Sequence, residues 1–248
     1  MSKNQSLASL TEDDEIAGKV RRQLEVFPQK FRELGEAGQL SELFRSPKKF
    51  SGARVEQAPE VFTEQYLIGP VLHGLGYLSS SSAEYDGTGP HFIRQPITYR
   101  KVEPKQPDYL LKNIDPAIVC IVEAKAVNRE RMTGAKTHAS EDIREYLEED
   151  AFCKYLRDTK QRYLVGIGTD GFRWTLWMKD IHTGEAMSHN PKIDISPVIR
   201  KVASRRDVIE GDFSSGASDE RELLAEEFVP AFAATNLPEY VKSVFGQN

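Results

Sequence analysis

The chain is poor in several things that would have decided its class early. No apolar run approaches the ~20 residues needed to span a bilayer, so no membrane-spanning helix and no membrane partner is expected. There are only two cysteines, Cys120 and Cys153, with no metal-type spacing, and they are expected as reduced thiols. Five histidines (73, 91, 138, 182 and 189) show no pairing suited to zinc. Basic residues are outnumbered, 33 Lys and Arg against 38 Asp and Glu. The formal net charge of -5 argues against a protein that coats nucleic acid nonspecifically. No "GK[ST]" phosphate loop and no serine elbow occurs, so neither an NTP-driven motor nor a serine hydrolase is indicated. The opening "MSKNQSLASLTEDDE" is polar and acidic, unlike a signal or transit peptide, and the expected location is the cytoplasm.

What is present is an ordinary globular composition, 39% hydrophobic and 29% charged over 248 residues, which suits one large domain with helical extensions. Residues 11–45 carry apolar positions at helical spacing, with Pro28 and Gly35 as expected breaks. A connector spans 46–59. Pro59 then opens a helix with an apolar face that ends at Gly76, and Pro70 predicts a kink within it. After a Ser/Gly loop (79–90), "HFIRQPITYR" reads as an edge or bulged strand and "QPDYLL" as a short extended segment. The turn 113–116 leads into "IVCIVEAKA", apolar at every position from 117 to 122. Such a run reads as a strand covered on both faces. A helix over about 139–158 and the buried strand "RYLVGIG" follow. Asp170-Gly171 reads as a hairpin turn into "FRWTLWMK", which alternates as a strand. Further on, His182 and His189 fall in a loop-like stretch. "DISPVIRKVA" reads as a short helix and "ERELLAEEFVPAFAAT" as an amphipathic one. The order helix, three strands, helix, two strands predicts an α/β protein with a mixed central sheet flanked by helices. Its expected divisions are an N-terminal helical extension (1–58), a core (59–180) and a C-terminal helical extension packed on it (181–248).

The chemistry concentrates at the end of "IVCIVEAKA". Strand alternation puts Val119, Ile121, Glu123 and Lys125 on one face. If 107–112 pairs with this strand across the 113–116 turn, Asp108 comes level with Glu123. Two adjacent carboxylates repel, and a divalent cation removes the conflict. Mg²⁺, with Mn²⁺ as a substitute, suits such a pair and the phosphate oxygens of a substrate. A nearby lysine can orient water and balance charge on the phosphate. The stretch 94–138 carries nine Lys/Arg against five Asp/Glu, so an anionic substrate has a local basic region to meet. The competing reading is a solvated ion pair at the strand rim, worth little energy.

"PD" at 107–108 followed by "EAK" at 123–125 resembles the signature of the PD-(D/E)XK nuclease superfamily. The order of elements resembles its restriction-endonuclease-like core. A closer likeness is to the N-terminal nuclease domain of type I restriction enzyme R subunits and their stand-alone relatives. It rests on "LIGPVLHGLGY", "PDYLL…IVEAKA" and "GIGTDGFRWTLW", within about 60–178. The resemblance implies that Asp108 and Glu123 bind metal with the Ala124 carbonyl, that Lys125 is catalytic, and that Glu64 is the acid many members add from the first helix. Relatives often carry a Gln and, four residues on, a Tyr on the second helix. Tyr146 fits, but Asp142 stands where the Gln would be. Arg129, Arg131 and Lys136 follow directly and are candidates for phosphate contacts at the site mouth. "GIGTDG" matches a dinucleotide fingerprint by letter only, because a strand and not a helix follows it.

The expected function is a metal-dependent endonuclease acting on double-stranded DNA in a restriction or defence setting. It is expected as a homodimer able to cut both strands, with any motor or methyltransferase on separate chains. The rival readings are a catalytically silent nucleic-acid-binding or assembly module and an RNA-directed nuclease.

Overall fold

The structure, a computed structural model, describes residues 7–51, 57–96, 106–148, 161–184, 188–206 and 217–246. Seven strands form one mixed sheet in chain order: β1 (Leu78–Ser79), β2 (His91–Arg94), β3 (Tyr109–Lys112), β4 (Ile118–Ala124), β5 (Tyr163–Thr169), β6 (Arg173–Asp180) and β7 (Ser188–Asp194). β2, β3 and β4 make an antiparallel meander, β4 and β5 run parallel, and β5, β6 and β7 are antiparallel again. A parallel neighbour needs a crossover, and α6 (Ala139–Glu148) lies on it.

The β3–β4 hairpin forms for local reasons. Asn113 takes a left-handed φ of 56°, and the Asp115 carboxylate accepts the Ala117 N–H at 2.7 Å. β4 is buried along its whole length. Cys120, Val122 and Ala124 face the larger core, and Val119 and Ile121 face a smaller one under α6. The expectation of a strand covered on both faces therefore holds, and Cys120 is a buried core residue.

Helices α1 (Leu7–Gln23), α2 (Val26–Glu36), α3 (Leu40–Arg45), α4 (Pro59–Thr63) and α5 (Gly69–Gly74) precede the sheet. Pro28 does not break the first region as expected. It lies in the first turn of α2, where a missing N–H costs nothing. The breaks fall at 24–25 and 37–39 instead. Between α4 and α5 the expected disturbance at Pro70 is a π turn, Glu64–Ile68, closed by the Gly69 N–H on the Glu64 carbonyl. Proline has no N–H for the regular ladder, and the wider turn absorbs the mismatch. The same device recurs at Glu222–Phe228, just before Pro230.

The C-terminal part departs further from expectation. The loop-like stretch around His189 is strand β7. The acidic helix is divided into α8 (Ala217–Arg221), the second π turn and α9 (Val229–Phe232), and α10 (Leu237–Phe245) was not anticipated. α7 (Ser196–Arg206) matches the short helix foreseen. The larger core joins Ile16 and Val20 of α1 to Phe228, Phe232 and Val241, so both terminal regions share it with the sheet. Among the described residues, no helix is long and apolar enough to cross a membrane. Cys153 and the expected continuation of α6 lie outside the described residues, as does the sequence from Ile97 to Lys105.

Candidate active site

The β3–β4 register sets Tyr109 opposite Val122, so Asp108 comes level with Glu123, as the sequence suggested. One Asp108 oxygen accepts the Ala124 N–H at 2.8 Å. Lys125 reaches back along its own strand, with Nζ 2.7 Å from Glu123 Oε1. The same ammonium lies 2.8 Å from Asp142 Oδ2 on α6. Asp108, Glu123 and Lys125 are thus together, and Asp142 completes the group.

Other elements fix these positions. β5 lies beside β4 and carries Gly166 and Gly168, where side chains would block α6. A Cβ at Gly166 would sit 2.4 Å from Ile143 Cγ2, and one at Gly168 would sit 2.8 Å from the Ser140 nitrogen. The glycines of "GIGTDG" therefore serve helix packing and, at Gly171 (φ 80°), the foreseen hairpin turn. The buried Glu130 carboxylate accepts the Ala139 N–H and the Ser140 hydroxyl, capping α6 at its start. Glu130 is itself held by its N–H on Asp170 Oδ2, at 2.8 Å. Thr63 Oγ1 accepts the Val127 N–H at 2.9 Å, which ties the chain after β4 to α4.

Glu64 approaches from the first π turn. Its Oε2 accepts Tyr109 Oη at 2.7 Å and Arg94 Nε at 3.1 Å. Glu60, one turn earlier, was not anticipated. Single carboxylate oxygens of Glu60, Glu64 and Asp108 all lie within 4.8 Å of one another. The phosphate-contact candidates are divided. Arg129 lies close enough to Glu60 to favour its ionised form. Arg131 turns instead to β7 and α7, where it pairs with Asp194 and donates to Ser196 Oγ at 2.7 Å. Lys136 is exposed in the loop before α6.

The electrostatics reflect crowding of like charge. Burial, and then the neighbouring Glu123, push the Asp108 carboxyl well above the usual carboxylate range, against the Ala124 N–H. Burial also pushes Glu123 up. Lys125 opposes this, while Asp142 and Glu60 add to it. Glu60 is raised by burial as well. For Lys125 burial acts downward, but the Glu123 and Asp142 carboxylates outweigh it and hold the ammonium above its ordinary range. Glu123 is 8% exposed, and its second oxygen, Oε2, is buried with no hydrogen-bond partner among the described residues.

A buried carboxylate oxygen without a donor is costly, and an excess of carboxylates around it more so. Both features fit a hard divalent cation. The donors are all oxygen, which suits Mg²⁺, Mn²⁺ or Ca²⁺ and not a soft ion. Glu123 adds to the upward pressure on Asp108, and Glu60 and Glu64 stand beside Asp108. The sequence held one signal for Glu60: it shares a helix face with Glu64 at a four-residue spacing. No protein-family model, curated protein or solved structure matches the chain.

Proposed function

We propose that the protein is a metal-dependent nuclease that hydrolyses phosphodiester bonds, with double-stranded DNA as the substrate and a restriction-endonuclease-like core. The observation that carries this reading is the meeting of Asp108, Glu123 and Lys125 at the end of β4, with a Glu123 oxygen that has no donor among the described residues. The arrangement of α4–α5, the β2–β3–β4 meander, α6 and a parallel β5 also supports it, because that is the element order the sequence resemblance implies.

Asp108 and Glu123 hold Mg²⁺ or Mn²⁺ in this reading, with the Ala124 carbonyl as a further donor and Glu60 or Glu64 as outlying acids. A bound divalent ion supplies Lewis acidity at the scissile phosphate. Lys125 orients the attacking water and offsets the negative charge that builds on the phosphate. Arg129, beside the acids, contacts a flanking phosphate. The setting is cytoplasmic restriction or defence. A homodimer cuts both strands, and any motor or methyltransferase belongs to other chains.

The test is cleavage of plasmid, single-stranded DNA and RNA in Mg²⁺ and in Mn²⁺. Wild type is expected to cut plasmid only with a divalent ion, and Glu123→Ala and Lys125→Ala are each expected to lose more than about 100-fold. Equal behaviour of wild type and Glu123→Ala would sink the enzyme reading and leave a silent binding module. Cutting confined to RNA would transfer the same chemistry to an RNA-directed nuclease.

A further inference from the structure

The Lys125 ammonium is shared between Glu123 Oε1 at 2.7 Å and Asp142 Oδ2 at 2.8 Å. The lysine and Asp142 side chains are each only 13% exposed, so this pairing is sheltered from solvent. Glu123 has a second claim on it, because among the described residues its other oxygen is buried without a hydrogen-bond partner. When a cation engages Glu123, the carboxylate shares its charge between ion and lysine. Asp142 then becomes the anchor that does not compete. Its position is well supported. α6 is capped by Glu130 and lies against the glycines of β5, so Asp142 is carried on a fixed element and not on a loop.

We propose that Asp142 is a positioning residue for Lys125. It holds the ammonium over the end of β4 and keeps it there when Glu123 is occupied by a divalent ion. This inference rests on the nuclease reading for its consequence, but the Lys125–Asp142 coupling itself does not depend on any activity. A carboxylate holds a lysine more firmly than an amide does, because the hydrogen bond is charge-assisted.

Two measurements test it. In the first, lysines are acylated with a limiting anhydride at fixed pH, and Lys125 labelling is read by mass spectrometry in wild type, Asp142→Asn and Asp142→Ala, with and without Mn²⁺. Asp142→Ala is expected to label Lys125 about fivefold faster than wild type, with a larger difference when Mn²⁺ is present, and Asp142→Asn is expected to fall between. In the second, single-turnover cleavage is measured for Asp142→Ala, Lys125→Ala and the double variant. Asp142→Ala is expected to lose about 10–100-fold in the saturating single-turnover rate constant with the half-saturating concentration little changed, and the double variant to be no worse than Lys125→Ala. Asp142→Asn is expected to recover part of the loss. Unchanged Lys125 labelling in a folded Asp142→Ala protein overturns the inference. So does a double variant whose losses multiply. If wild type cuts nothing while labelling responds as described, the nuclease reading fails and the Asp142 inference stands.

Discussion

Lys125 lies between Glu123 and Asp142 at the end of β4, with Glu60, Glu64 and Asp108 clustered beside them, and the folded chain bears the cost of that crowding. Asp108 and Glu123 hold their protons to higher pH than they would in the unfolded chain. The folded state therefore binds more protons than the unfolded state across that range, so stability falls as pH rises. Their contribution is complete below the ordinary carboxylate range, about pH 4, and is lost as pH climbs through neutrality. Asp115 and Asp180 are shifted downward, and their linkage acts below that window. In chelator, the melting temperature of wild type is expected to drop between about pH 5 and 8 relative to Asp108→Asn, as scanning calorimetry of the two proteins would show. Millimolar Mg²⁺ is expected to raise the wild-type melting temperature at pH 8 and far less at pH 5, where protons compete for the same oxygens. A parallel pair of pH curves, unaffected by Mg²⁺, would mean that the two carboxyls are not strained against each other.

At the scale of elements, α6 and β5 decide whether the site can assemble. Gly168 lies against the backbone of Ala139 and Ser140, and backbone cannot move aside as a side-chain tip can. Gly168→Ala is expected to cost about 1–3 kcal/mol in urea unfolding, and to weaken cleavage further by shifting Asp142. Loss of the cap in Glu130→Ala is expected to cost about 1–2 kcal/mol in the same measurement. Much of this level was legible in the sequence. The β3–β4 hairpin follows from an uninterrupted apolar run and a strong turn, and the Asp170-Gly171 turn from glycine's tolerance of positive φ. β7 was not legible. "SHNPKID" has one residue of the larger core, Ile193, and a proline, which is how an outer strand hides. The contacts of Glu60 and Asp142 were hidden for another reason. A carboxylate on a helix looks like a solvated surface residue until the register of distant strands brings a lysine to it. Arg131 shows the converse: sequence proximity to Lys125 placed it at the site mouth, yet Asp194, from β7, takes it elsewhere.

For the whole molecule, the sheet is the frame and both ends of the chain close its larger core. Trp174 on β6 meets Phe228 and Phe232 at centroid distances of 5.4 and 5.9 Å. The Phe245 ring stacks on Tyr163 at 5.4 Å, and Lys242 pairs with Asp115 at 2.8 Å. Residues beyond 181 fill the same core as β4, and among them β7 adds a strand to the sheet. Phe232→Ala is expected to destabilise the protein by about 3–5 kcal/mol and to lower the near-ultraviolet signal of Trp174 in one transition shared with the rest of the fold. A separate, earlier transition would indicate that the C-terminal helices fold independently of the sheet.

The central claim is that Asp108 and Glu123 hold a divalent cation beside Lys125. The most direct measurement is a crystal structure grown with Mn²⁺, with the ion located by its anomalous signal. The account predicts a peak within coordination distance of both Asp108 and Glu123 Oε2, with Lys125 still on Asp142. A peak held by Glu60 and Glu64 alone, or no peak with Asp108 and Glu123 still in place, would contradict it.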